Sequence, residues 1–235
     1  VQKAGSWAIS PLRNFLSDVT SLGRTRNKIE RLQAENDKLR LSLQNRKNAD
    51  ALLKQLKGVL DLAGTAGYKV VGAKVISQGS TTSFTQSISI DVGSNSGVRS
   101  NMTVLSSYGI VGVVKYVYPN SALVQLASDP AFRIGVRIAG SQQIGIMSGQ
   151  GTRRGVLQLL DNRTRIKEGD VLLARGSQGG RPFVPGAPIG SVTDVDNSPG
   201  AVTQTAEVKF YTNFSTLGVV AVVVSGEGTD PRDAL

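Results

Sequence analysis

The 235-residue chain contains no cysteine and no histidine. The first absence excludes disulfides, thiolate nucleophiles and cysteine-ligated metals, and the second removes the commonest general base. Neither fixes the compartment, because disulfide-free secreted proteins and cytosolic proteins look alike by this measure. Aromatic residues make up only 5%, too few for the stacking platforms that single-strand-binding proteins interleave with basic side chains. No nucleic-acid partner is therefore expected. Nowhere do about 18 apolar residues follow one another, so no segment reads as a membrane-spanning helix. The longest apolar stretch, 217–224, is strand-length and contains Gly218.

Glycine is scarce only at the front. Gly5, Gly23 and Gly58 are the glycines of the first 60 residues, and the remaining 24 of 27 fall in the next 175. The shift marks a helical front joined to a turn-rich β remainder. Charge divides in the same way: of a net +10, residues 1–60 hold 12 basic and 5 acidic side chains, and the rest hold 15 and 12. An anionic membrane surface would attract such an arm, although a solvated helix face needs no partner at all.

From Arg24 to Lys57 there is neither glycine nor proline, and good helix formers dominate. Such a helix would extend about 50 Å, too long to stand without a partner. Its apolar residues recur in sevens. With Leu22, Ile29, Asn36 and Leu43 at position a, Thr25, Leu32, Leu39 and Arg46 take position d, and Leu53 and Leu60 keep the d spacing. Alternating steps of three and four make a narrow seam that is buried only against another helix, and a buried Asn at a fixes register. The seam residues expected to mediate self-association are Leu22, Ile29, Leu32, Asn36, Leu39, Leu43 and Leu53. Arg46 and Asp50 interrupt the pattern, and a single amphipathic helix lying on the β part is the alternative.

Beyond Leu62 the pattern changes to period two. Strands are expected at 69–76, 86–92, 103–105, 110–117, 122–126, 133–138, 144–147, 155–160, 171–174, 189–195, 203–210 and 217–224. Short strands at regular spacing, with no amphipathic helix between them, indicate barrels or sandwiches. Turns fall at Gly93, Gly97, Gly109, Gly112, Gly169, Asp170, Gly176, Gly186 and Gly190, several of them expected to need positive φ. So many strands in about 155 residues suggest two small barrels rather than one. The expected organisation is a membrane-proximal segment (1–21), a coiled-coil helix (22–62), a first barrel (68–148), a second barrel (149–226) and a flexible tail (227–235). The chain begins at Val1, which suggests a fragment lacking an N-terminal membrane anchor, with Trp7 and Phe15 near the former interface.

Three constellations are candidates for chemistry. Asp91-Val-Gly-Ser94 echoes an aspartic-protease loop, but that chemistry needs two such loops sharing a proton. Gly176-Ser-Gln-Gly-Gly-Arg181 lacks the Gly-Lys-Ser/Thr ending of a phosphate cradle and a following helix. Asp194 and Asp196 share a strand face, yet a metal site usually takes more ligands. A serine–lysine dyad needs no histidine, but no Ser-x-x-Lys motif occurs. No enzyme, metal or cofactor is expected.

Leu32-Gln-Ala-Glu35-Asn36-Asp-Lys-Leu39 resembles the Glu-Asn-x-x-Leu of coiled coils in the family of rod shape-determining MreC proteins. Ala73-Lys-Val-Ile76, Asp91-Val-Gly-Ser-Asn-Ser-Gly-Val98, Asn101-Met-Thr-Val104 and Gly109-Ile-Val-Gly-Val113 follow in that family's order. So do Ile166-Lys-Glu-Gly-Asp170, Arg175-Gly176, Gly179-Gly180 and Pro185-Gly-Ala-Pro-Ile-Gly190. Ala174-Arg175-Gly176 stands where the family usually shows Thr-Ser-Gly. The resemblance covers residues 28–224 and implies a single-pass membrane protein with a coiled coil and two six-stranded barrels on the extracytoplasmic face. It also implies a non-enzymatic scaffold of cell elongation and peptidoglycan synthesis. Implied partners are a second copy (dimer or filament), a class B penicillin-binding transpeptidase, MreD, RodA and the MreB system. Exposed edge strands would offer one route to filament growth. The competing reading is a membrane-fusion-type adaptor of an efflux or secretion system, in which a helical hairpin interrupts the β halves.

Overall fold

The computed structural model describes residues 10–79, 86–141, 143–159, 166–196 and 203–225, with side chains from Lys28 to Val224 within those ranges. Trp7, the tail at 227–235 and the side chains of Phe15 and Leu22 lie outside the described residues. Among the described residues one α-helix, α1 (Ser10–Thr65), precedes twelve strands. It is longer at both ends than the coil expected over 22–62. It begins with Pro11 in its first turn, where a missing N–H costs nothing, and it passes through Gly23. The chain falls into two compact units, Val1–Ala51 and Leu52–Leu235.

The described part of the first unit, residues 10–51, is helix. Its described side chains, from Lys28 on, are all exposed.

The second unit holds the last turns of α1 and both barrels. Its strands are β1 (Lys69–Gln78), β2 (Ser87–Ile90), β3 (Thr103–Ser106), β4 (Gly109–Val117), β5 (Ala122–Leu126), β6 (Arg133–Ile138), β7 (Ile144–Gly149), β8 (Arg154–Leu159), β9 (Val171–Ala174), β10 (Pro188–Asp196), β11 (Thr205–Phe210) and β12 (Val219–Ser225). All twelve expected strands are present, each end within two residues of its expected position. Alternation explains the success: β6 buries Ile134, Val136 and Ile138 in turn, and β8 buries Leu157 and Leu159.

Two closed barrels result, one in the order β1-β12-β3-β4-β5-β2 and the other β10-β11-β8-β7-β6-β9. The expected division at 148/149 is therefore wrong in two ways. Strands β6 and β7 already belong to the second barrel, and β12 returns to the first, where Ala73 pairs with Val220 and Ala221 with Leu105. The second barrel is inserted between β5 and β12. Gly149-Gln-Gly151 connects the paired strands β7 and β8 instead of separating domains. Closure also overturns the expectation of exposed strand edges, since each barrel strand pairs on both sides. One apolar cluster runs through both barrels, from Ile88, Val104 and Val220 in the first to Met147, Leu172 and Val208 in the second.

Candidate functional site

Along the first unit, the heptad residues Ile29, Leu32, Asn36, Leu39 and Leu43 follow the three- and four-residue steps that place them on one helix face. Ile29 is 50% exposed, Leu32 55%, Leu39 57% and Leu43 57%. A contiguous row of half-exposed branched aliphatics marks a surface that gains by meeting an apolar partner. Asn36 stands in the middle of that row, also exposed.

In the second unit the helix end is built for docking. Val59 and Ala63 are buried, and Leu52, Leu56 and Leu62 are half-buried, whereas Leu53 and Leu60 remain exposed. The buried set recurs every three to four residues on one face, and Leu53 and Leu60 lie about a quarter turn to its side. Gln55 stitches this face to the barrel: its Oε1 accepts from the N–H groups of Gly218 (3.2 Å) and Val219 (3.0 Å). Gly58 explains itself here. A Cβ on it would stand 2.6 Å from Ser107 Cβ, so an alanine would push the helix off the β3–β4 turn.

The two barrels meet through hydroxyls and carbonyls. Buried Thr103 on β3 donates from Oγ1 to Pro182 O (2.8 Å) and accepts from Val184 N (3.1 Å). Ser106 and Thr212, both buried, share a hydroxyl–hydroxyl bond of 3.0 Å. Tyr68 donates its phenolic O–H to Pro185 O, and burial raises its pKa above the ordinary value of 10.0. Phe132 and Phe183 meet edge to face at 5.4 Å. Asp129, fully buried, accepts from Gln86 N (2.5 Å), Ala131 N (2.7 Å) and Gln125 Nε2 (3.0 Å). Ser128 and Gly151 complete this junction through the Gln86 side chain.

The turn glycines serve two different ends. Gly97, Gly109, Gly169, Gly176 and Gly186 have positive φ. Gly93 does not: its φ is −140°, and what it provides is room, because a Cβ there would lie 2.0 Å from Tyr118 O. Gly112 and Gly190, expected in turns, lie instead within strands β4 and β10, where the missing side chain admits the neighbouring strand: Gln125 O would stand 1.9 Å and Lys209 O 2.3 Å from a hypothetical Cβ. At Gly109 both demands coincide, φ +143° and Pro188 O at 2.1 Å. Asp170 closes its turn by accepting from Lys167 N at 2.9 Å.

The other sequence candidates are turns and surface. Asp91 Oδ1 accepts from Lys74 N at 2.7 Å, an ordinary turn anchor. Asp194 and Asp196 stand exposed on β10, and among the described residues no group of three metal-ligating side chains gathers. On the first barrel Tyr108, Tyr116, Tyr118 and Ile76 are exposed, a set of side chains that reasoning from periodicity did not single out.

A family model described as rod shape-determining protein MreC, barrel core, matches residues 75–224. The chain belongs to the MreC family. Among MreC relatives, the cell shape-determining protein MreC of Listeria monocytogenes is 30% identical over 176 residues, 72% of this chain and 59% of that protein. The MreC of Streptococcus pneumoniae is 29% identical over 230 residues, 95% of this chain and 82% of that one. A solved MreC structure matches with a TM-score of 0.66 at 29% identity, covering 74% of this chain and 98% of the other. The fold is shared as well by a chain of the complex between penicillin-binding protein PBP2 and MreC from Helicobacter pylori, with a TM-score of 0.52 and 18% identity over 66% of this chain and 99% of that one. The order of one long helix followed by two closed barrels is that of the MreC fold. Among the described residues no helix is long and apolar enough to cross a membrane.

Proposed function

We propose that this chain is a cell-shape scaffold of peptidoglycan synthesis that acts by contact and not by catalysis. Through the seam of Leu22, Ile29, Leu32, Asn36, Leu39, Leu43 and Leu53 it pairs with a second copy. The joined barrels then present one rigid surface to a penicillin-binding transpeptidase and promote its activity. The row of exposed leucines carries this reading, since it is too apolar to be left in water and regular enough to be a coil. The Helicobacter pylori MreC complexed with PBP2 supports the choice of partner. MreD, RodA and the MreB system remain expected partners by family resemblance. The scaffold works on the outer face of the cell membrane, the location that the family resemblance implies. Tyr108, Tyr116 and Tyr118 provide the large amphipathic side chains that anchor many protein interfaces.

Analytical ultracentrifugation of the chain, followed by titration with the class B transpeptidase, tests both halves. Leu39→Ala should weaken association by about 2–5 kcal/mol if the leucine is packed in a paired seam. Asn36→Leu should strengthen association and loosen its stoichiometry. Unchanged sedimentation for both variants would discard the coil, and absence of a complex with the transpeptidase would discard the partner.

A further inference from the structure

Of the nine a and d positions from Leu22 to Asp50, two carry charge: Arg46 at d and Asp50 at the following a. Both stand on the helix exposed, and neither takes an ion-pair partner among the described residues. Within one helix the pair is four residues apart in the poorer order, with the cation toward the N-terminus. In a seam the two would be costly if they met only their own kind, because Arg46 would face a second Arg46 and Asp50 a second Asp50. Core layers four residues apart are only about 6 Å apart along the axis, which an arginine side chain spans. Each guanidinium therefore meets a carboxylate of the opposite helix one layer on.

We propose that Arg46 and Asp50 form a reciprocal charge clamp between two copies of this chain in a parallel, in-register pair. Arg46 of each helix bonds the partner's Asp50, so that two ion pairs bridge the seam between Leu43 and Leu53. The inference rests on the self-association proposed above and adds its orientation and its specificity. Glu35 at position g and Arg40 at position e support the same arrangement, as they face one another across a parallel seam. Parallel pairing in register also sets Asn36 against the partner's Asn36 while Ile29, Leu32, Leu39 and Leu43 meet their own copies. A helix shifted by one heptad, or one lacking opposite charges at these layers, would leave a buried charge uncompensated, which penalises wrong partners more than it strengthens the right one.

The test is a mixing experiment on the full 235-residue chain. R46D carries two acidic core layers and D50R two basic ones. Each alone should self-associate at least about tenfold more weakly than the parent by sedimentation, since like charges then meet without relief. Mixed in equal amounts the two should recover parental association, as heterodimers only. A clamp confined to one helix predicts no such recovery. Orientation is read separately by I29C, whose thiol is unique in a cysteine-free chain: mild oxidation should join two copies, whereas an antiparallel pairing of the same seam sets these positions about 25 Å apart. Circular dichroism and the melting of the barrels, which should match the parent, confirm that the variants are folded. If both single variants associate as the parent does, or if the mixture stays as weak as its components, the clamp is refuted while self-association stands. Failure of I29C to cross-link in an associating chain refutes the parallel register. A parent chain that is monomeric throughout the concentration range refutes both the clamp and the self-association on which it rests.

Discussion

Thr103→Val removes one hydroxyl and nearly nothing else, and the structure sets what that should cost. The Thr103 hydroxyl donates to Pro182 O at 2.8 Å and accepts from Val184 N at 3.1 Å, and it is buried between the barrels. Valine keeps the volume but leaves a carbonyl and an N–H facing a methyl group. Each lost hydrogen bond contributes about 0.5–1.5 kcal/mol net, and a buried group left unsatisfied costs about 1–3 kcal/mol. One of the two released groups, Pro182 O, belongs to a half-buried residue that water reaches in part, and Val184 is fully buried. A loss of about 2–4 kcal/mol follows. For a unit of this size each kcal/mol shifts Tm by roughly 2–4 °C, so the transition should fall by about 4–16 °C. Thr103→Ser retains the hydroxyl and sacrifices a methyl, and it should cost about 1 kcal/mol. The assay is urea and thermal unfolding followed by far-ultraviolet circular dichroism. Because one apolar cluster runs through both barrels, the barrels should also melt in one step. Equal stability of the valine variant and the parent would refute the argument, as would a serine variant no better than valine.

Three other changes probe separate features. Gly109→Ala should prevent proper closure of the barrel joint, because its Cβ would stand 2.1 Å from Pro188 O in a positive-φ conformation; the expected result is a loss exceeding about 3 kcal/mol or insoluble protein, read by urea melts and solubility. Asp129→Ala strands the donors Gln86 N, Ala131 N and Gln125 Nε2 and should cost about 3 kcal/mol or more, whereas Asp129→Asn, which keeps one acceptor oxygen, should cost less in the same melts. Tyr68 predicts a pH dependence: its pKa is raised in the folded chain by burial, so its contribution is complete below about 10, the unfolded value, and is lost as pH climbs through the folded value. Tyr68→Phe should lower stability by about 0.5–1.5 kcal/mol at neutral pH and flatten the alkaline decline, which denaturant melts at several pH values would measure.

Local pattern made the strands legible and left their grouping hidden. The alternation of Ile134, Val136 and Ile138 is visible in the sequence, and so is the turn at Gly169-Asp170. Nothing local says that β12 must pair with β1 instead of with β11, its predecessor, because that choice rests on which sheets close. The crossing between barrels lies at Ser128-Asp129-Pro130, a turn signal as good as the one at Gly149-Gln-Gly151 and no better in isolation. Thr103, Ser106 and Thr212 read as ordinary strand polar residues, and only the contact of two barrels shows them to be the joint. Gly58 did carry a signal. A glycine within a helix of good formers usually answers to something close by, here Ser107. The leucine seam was legible as a period, and exposure of its described side chains is what the fold adds.

The insertion of the second barrel between β5 and β12 has a consequence for a chain delivered N-terminus first to the place where it folds. Strands β1 to β5 arrive early yet are left without their sixth member until Val219–Ser225 has followed them. During that delay β1 and β3 offer bare main-chain edges, the very groups through which unfinished chains stick to one another. The inserted barrel, whose six strands are contiguous in sequence, completes itself meanwhile. Sealing of the older barrel is thus the last event, and a nascent chain halted before that final strand carries a finished module on an open one.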